Sequence, residues 1–276
     1  MKSTPANRPR HEKSASGGHI PRKRFGQHFL TDGQVIADIV AAIRPAPDDL
    51  MVEIGPGLSA LTDPLLSTLK HLHVVEIDRD IVARLQKRYA PERLTIHAMD
   101  ALRFDFGALG NRLRVVGNLP YNISTPLLFH LSSFAAQIED MHFMLQKEVV
   151  ERMVAAPSTP EYGRLSVMLQ YRFAMELLFT VPPAAFSPPP KVESAVVRML
   201  PLHDAPQPAL NENLLEKIVA AAFAMRRKTL RNSLHAYLSA HDFTEIGIDP
   251  GLRAENLAIA DFVAIANHVE SLAVAR

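Results

Sequence analysis

Asn118-Leu119-Pro120-Tyr121 sets an amide, a backbone-shaping proline and an aromatic ring within four residues. That combination suits work on an aromatic amine such as the N6 group of adenine. The N6 lone pair is delocalised into the ring, so the amine is a poor nucleophile. An Asn side-chain oxygen and the following backbone carbonyl can accept its two N–H bonds, favouring a pyramidal nitrogen whose lone pair points at an electrophile. The proline shapes the backbone and the tyrosine stacks on the base. A turn closing a strand has the same composition, so the tetrad acquires meaning from its companions.

Three further clusters are those companions. Gly55-Pro56-Gly57-Leu58-Ser59-Ala60 follows an apolar run, and glycines there allow close backbone approach to a ligand at the start of a helix. Glu76-Ile77-Asp78 comes about 20 residues later, the spacing at which a carboxylate accepts ribose hydroxyls. Asp100-Ala101 follows a third run; an acid there can accept from an adenine amine, or merely cap a helix. Gly55-x-Gly57-x-x-Ala60 satisfies the dinucleotide fingerprint and the S-adenosylmethionine loop alike, and a plain tight turn also fits it.

These clusters need a scaffold that delivers strand ends to one place. Short apolar runs at Leu50–Ile54, His73–Ile77, Leu94–Ala98 and Arg114–Gly117 read as buried parallel strands. Asp32–Ile43, Ser59–Lys70, Arg79–Tyr89 and Thr125–Gln137 read as helices, and another begins at Glu148. The alternation predicts an α/β fold with a doubly wound, mostly parallel sheet, whose ligands bind at the carboxyl ends of the strands. Met141–Gln146 continues the sheet. Glu176–Val181 and Ala195–Leu200, joined by the Pro-rich 182–190, predict an antiparallel edge pair. Residues 201–210 read as a linker and 211–276 as a small helical domain.

Composition narrows the classes. Residues 1–24 carry seven basic side chains against Glu12 alone, a net of +6; since the whole chain is +1, the rest is −5. The arm over 1–21 is expected to be disordered and to offer an auxiliary contact for a polyanion. No apolar run approaches a membrane span, the start lacks a signal-peptide pattern, and Cys is absent. A cytoplasmic protein without membrane contact is expected. No metal is expected either, because His71-x-His73 lacks a convincing ligand spacing.

The motifs in order resemble the KsgA/RsmA family of 16S ribosomal RNA adenine N6-dimethyltransferases, from Arg22 to about Ala266. Besides the glycine loop and Asn118–Tyr121, the resemblance includes Arg24-Phe25-Gly26-Gln27-His28-Phe29-Leu30, Met144-Leu145-Gln146-Lys147-Glu148 and Tyr162-Gly163-Arg164-Leu165-Ser166. It continues through Phe186-Ser187-Pro188-Pro189-Pro190-Lys191-Val192-Glu193-Ser194 and Arg226-Arg227-Lys228-Thr229-Leu230-Arg231-Asn232-Ser233-Leu234. His28 stands where many relatives carry Asn. The resemblance implies a Rossmann-like class I methyltransferase domain over 22–200 with S-adenosyl-L-methionine as cofactor. It implies cofactor contacts by His28, Leu30, Gly55, Gly57, Glu76, Ile77, Asp100, Ala101 and Asn118. Asn118, Leu119, Pro120 and Tyr121 are expected to handle the base, with Phe186 as a second aromatic against it; taken alone, Phe186 reads as a core residue. Glu53 is a candidate to support the site from behind.

Met225–Leu234 reads as a helix carrying Arg226, Arg227, Lys228 and Arg231, assigned to RNA, although such clusters are commonly just solvated. The expected activity is dimethylation of two adjacent adenines in a 16S rRNA hairpin loop near the 3′ end, within the small ribosomal subunit, by a monomer. Rival readings are a 23S rRNA dimethyltransferase of the antibiotic-resistance type, a ribosome-assembly factor that only binds, and an NAD oxidoreductase.

Overall fold

Met51–Ile54 (β2) has no exposed residue, as expected of a parallel strand covered on both faces. It follows a two-residue strand, Phe29–Leu30 (β1), and a helix, Gly33–Ile43 (α1). The computed structural model describes residues 28–202, 208–225 and 227–274. The basic arm over 1–21, Arg24–Gln27 and Arg226 therefore lie outside the described residues. After β2 come α2 (Thr62–Thr68), β3 (Leu72–Val75), α3 (Arg79–Arg88), β4 (Leu94–His97) and β5 (Leu113–Asn118). Then follow α4 (Ser124–Ser132), β6 (Ile138–Gln146), α5 (Lys147–Val154), α6 (Arg164–Gln170), β7 (Phe173–Val181), β8 (Phe186–Ser187) and β9 (Ser194–Pro201). The remainder is helical: α7 (Glu212–Phe223), α8 (Leu230–Ser233), α9 (Ala240–Glu245) and α10 (Ile259–Val274). Among the described residues no helix is long and apolar enough to cross a membrane.

The main sheet has seven strands in the order β4-β3-β2-β5-β6-β9-β7. Strands β2 to β6 pair in parallel, while β9 runs antiparallel to both β6 and β7, the edge arrangement expected. The chain moves outward from β2 to β3 and β4, then returns to lay β5 on the other side of β2. That reversal is a topological switch point, and the crevice for ligands in such sheets opens there, beyond the ends of β2 and β5. The glycine loop leaves β2 and the Asn118 tetrad leaves β5.

Alternate residues of the same strands feed two cores, one on each face. Val115, Phe143 and Val197 join Val52 and Leu127 on one side. Val116, Met144 and Val196 join Leu65 and Val74 on the other. A third core unites α7 and α10 with Tyr162 and Val167. Tyr162 donates its hydroxyl to the Leu257 carbonyl at 2.9 Å, so the helical region shares its core with α6.

Three expected helices are shorter in the structure, and the one over Ser59–Lys70 is confined to Thr62–Thr68. The segment over Thr125–Gln137 starts at Ser124 and stops at Ser132, where successive turns lead into β6. The helix over Met225–Leu234 is reduced to Leu230–Ser233. Its basic part has no apolar face to bury: Met225 is exposed, whereas helix begins at the fully buried Leu230. Arg227 and Lys228 consequently sit in the turn before α8 and do not share a helical face with Arg231.

Candidate active site

Acidic residues that leave the strands also organise the backbone around the crevice. Asp78 caps α3 by accepting the Asp80 N–H at 3.0 Å, and Asp100 accepts the Leu102 N–H at 3.0 Å. Gly55 and Gly57 adopt positive φ of 68° and 53°, which favours glycine, and a Cβ on Gly57 would also press within 3.2 Å of the Phe29 ring. Gly117 answers to a different constraint. A Cβ there would lie 2.5 Å from the Ile54 carbonyl oxygen, so its absence lets β2 and β5 converge at the switch point.

The resulting cleft has a volume of about 330 Å³. His28, Leu30, Gly55, Gly57, Glu76, Ile77, Asp100, Ala101, Asn118, Leu119, Pro120 and Tyr121 all line it, as does Glu53. Ile77 and Met99 keep large apolar side chains exposed along the cleft, 50% and 38% respectively, as a flat ring between them would require. Phe29, Leu58, Met99, Asn122 and Ile123 also belong to the lining, although the sequence assigns none of them a role in the site. Their only signal is adjacency to the motifs.

Phe186 is a correction. It does not line the cleft and is only 4% exposed, packed in the core beside Leu30 and Val181. The cause is β8, which pairs antiparallel with β1 and sets Phe186 opposite Leu30. That ribbon, extended by the Thr31 N–H bond to the Ala185 carbonyl, straps residues 28–31 across the cleft.

The strap reaches the tetrad. Asn118 donates its side-chain N–H to the His28 carbonyl at 3.2 Å, and His28 Nδ1 donates to the Pro188 carbonyl at 2.8 Å. The His28 ring stacks against Tyr121, centroids 5.8 Å apart and planes 26° apart. Leu119 N–H is bound to the Met144 carbonyl at 3.1 Å, which fixes the peptide plane next to Asn118.

Three carboxylates face this space and no Lys or Arg lines it among the described residues. Burial pushes the Glu76 carboxyl above its ordinary range, opposed by backbone N–H groups of Asp78, Ile77 and Gly57. Burial raises Glu53 further, to about 8, despite the Thr62 hydroxyl donating to it at 2.6 Å. A ligand with a ribose and a cationic centre suits this lining: Glu76 and Asp100 could accept hydroxyl and amine hydrogens, and the glycine cradle admits close backbone approach.

The sheet topology and this cleft define a class I S-adenosylmethionine-dependent methyltransferase. The chain matches the family described as "Ribosomal RNA adenine dimethylase" over residues 18–271, and it belongs to that family. It is 65% identical over 251 residues to Ribosomal RNA small subunit methyltransferase A of Aromatoleum aromaticum, covering 91% of this chain and 95% of that one. Identity to the protein of the same name from Thiobacillus denitrificans is 66% over 247 residues, covering 90% and 97%. A solved dimethyladenosine transferase from Plasmodium falciparum aligns with a TM-score of 0.75 at 25% identity, covering 86% of this chain and 96% of its own. The 23S rRNA methyltransferase ErmE shares the fold, with a TM-score of 0.68 at 22% identity, covering 88% and 99%. S-adenosylmethionine is the methyl donor; it supplies a sulfonium-bound methyl group that needs no further activation.

Proposed function

We propose that this chain dimethylates the N6 amines of two adjacent adenines in a hairpin loop near the 3′ end of 16S rRNA, within the small ribosomal subunit. On this reading it acts as a cytoplasmic monomer in ribosome biogenesis. The carrying observation is the pinned Asn118 amide on the cofactor cleft. Because its N–H side is committed to the His28 carbonyl, Oδ1 is left as the acceptor for one N6 hydrogen. The Leu119 region supplies a second acceptor in the backbone, Pro120 holds the turn, and Tyr121 offers a stacking face. His28, Leu30, Gly55, Gly57, Glu76, Ile77, Asp100 and Ala101 hold the methyl donor. Displacement at an activated methyl asks chiefly for alignment and a suitable field, which these residues provide without a metal.

Relatives named for the small ribosomal subunit, at about two-thirds identity over nine-tenths of the chain, support the choice of RNA. Arg227, Lys228 and Arg231 are exposed, and on this reading they meet phosphates. The test offers the protein unmethylated small ribosomal particles and, separately, isolated 23S RNA. Two dimethylated adenines in the particle's rRNA, found by mass spectrometry, are expected. Methylation of the 23S RNA alone would overturn the choice of substrate, and methylation of neither would leave a factor that only binds.

A further inference from the structure

Tyr121 is held at its far end by a residue outside the tetrad. Its hydroxyl lies 2.8 Å from the Ser194 Oγ, with Ser194 fully buried. Ser194 opens β9 and stands in register with Gln146 of β6 on one side and Val181 of β7 on the other. A side chain carried between two paired strands has little freedom, so it can serve as a fixed post. The next residue back reinforces it: the Glu193 carbonyl accepts the Lys147 N–H at 3.0 Å, and the Lys147 ammonium meets the Glu193 carboxylate at 2.9 Å.

We infer that Ser194 is a positioning residue for methyl transfer: its hydroxyl anchors the far end of the Tyr121 ring on which the target adenine stacks. The inference rests on the proposed adenine chemistry. Two constraints are needed to set that ring. Stacking with His28 limits rotation of the ring about its Cβ–Cγ axis, but leaves the whole ring able to swing about Cα–Cβ. The Ser194 bond removes that freedom, so the stacking face is presented before the base arrives. Because stacking aligns the amine with Asn118, a small displacement of the ring moves N6 off the line of attack. In the tyrosine itself burial raises the phenol, and the Ser194 hydrogen bond opposes that rise.

A double-mutant cycle tests this. Ser194→Ala and Tyr121→Phe remove the same bond from opposite ends. Single-turnover methylation of small ribosomal particles at saturating RNA should fall by roughly ten- to a hundredfold in each. The double variant should be no slower than Tyr121→Phe, and cofactor affinity by calorimetry should stay within about twofold. If Ser194→Ala folds poorly, Ser194→Cys keeps the volume with a weaker bond and should show an intermediate loss. Multiplying losses in the double variant, or a Ser194→Ala rate equal to wild type, would overturn the inference. A second readout needs no RNA: the ¹³Cζ resonance of Tyr121, assigned by its loss in Tyr121→Phe, should titrate at higher pH in Ser194→Ala. An unmoved titration also overturns it. Failure of the wild type to methylate the particle would instead sink the adenine reading.

Discussion

Asn118 and His28 are 90 positions apart in the chain, yet the Asn118 side-chain amide donates to the His28 carbonyl at 3.2 Å. The acceptor is backbone, so the contact does not depend on the side chain at position 28. A change of side chain at position 28 therefore leaves this bond intact, while the His28 ring adds the stacking on Tyr121. One short strap thus orients the amide and braces the aromatic of the same tetrad.

Replacing Glu76 separates binding from folding. Its Oε1 accepts the Asp78 N–H at 2.8 Å, which Gln can preserve and Ala cannot. Glu76→Ala should weaken S-adenosylmethionine binding by roughly 1.5–3 kcal/mol, the scale of charged hydrogen bonds to a ligand. It should also lower the melting temperature, because a buried N–H loses its acceptor. Glu76→Gln should bind weakly with nearly normal melting. Cofactor affinity unchanged in both variants by calorimetry would remove Glu76 from the ribose site.

Glu53 makes stability depend on pH. Its carboxyl titrates near 8 in the folded chain against an ordinary 4.5, so the folded state keeps a proton that the unfolded state releases. The sign follows: its contribution is greatest below pH 4.5, is lost as pH rises from 4.5 to 8, and levels off above. The ceiling is roughly 5 kcal/mol, at about 1.4 kcal/mol for each pH unit between the unfolded and folded titrations. Glu53→Gln cannot ionise and should lack this component. Urea unfolding of both proteins between about pH 5 and 8 should show the variant gaining on wild type as pH rises; parallel profiles would contradict it.

Arg227, Lys228 and Arg231 are exposed and lie away from the cleft lining. Neutralising them should weaken association with the small particle and flatten its salt dependence by roughly 0.7 log–log units per lost phosphate contact, if the RNA behaves as a single strand. The rate at saturating RNA should be nearly preserved. A salt slope equal to wild type would take these cations out of the interface.

The parallel sheet was readable because its strands are short, largely apolar runs with helical periodicity between them. Gly55, Glu76, Asp100 and Asn118 were readable because each lies at or just beyond the carboxyl end of such a run. β1 and β8 were not, since two-residue strands have no periodicity, and they pair Phe29 with Ser187 from distant parts of the chain. That hidden ribbon is also what carries Phe186 into the core. The helix expected over Met225–Leu234 rested on composition, and an exposed basic turn has the same composition as an exposed basic helix. Ser194 carried no signal of its own: a serine at a strand start is ordinary, and only the fold shows the Tyr121 hydroxyl beside it.

The central claim is that Asn118 aligns the adenine amine for transfer and is not required for docking of the ribosomal particle. Single-turnover methyl transfer by Asn118→Ala, with particle association measured on the same preparation, tests it most directly. Transfer should fall by roughly a hundredfold or more, the scale for loss of a group acting only in the transition state. Association should remain within about twofold of wild type, because most RNA affinity comes from phosphate contacts elsewhere. Association lost as severely as transfer, or transfer left at the wild-type rate, would contradict the account.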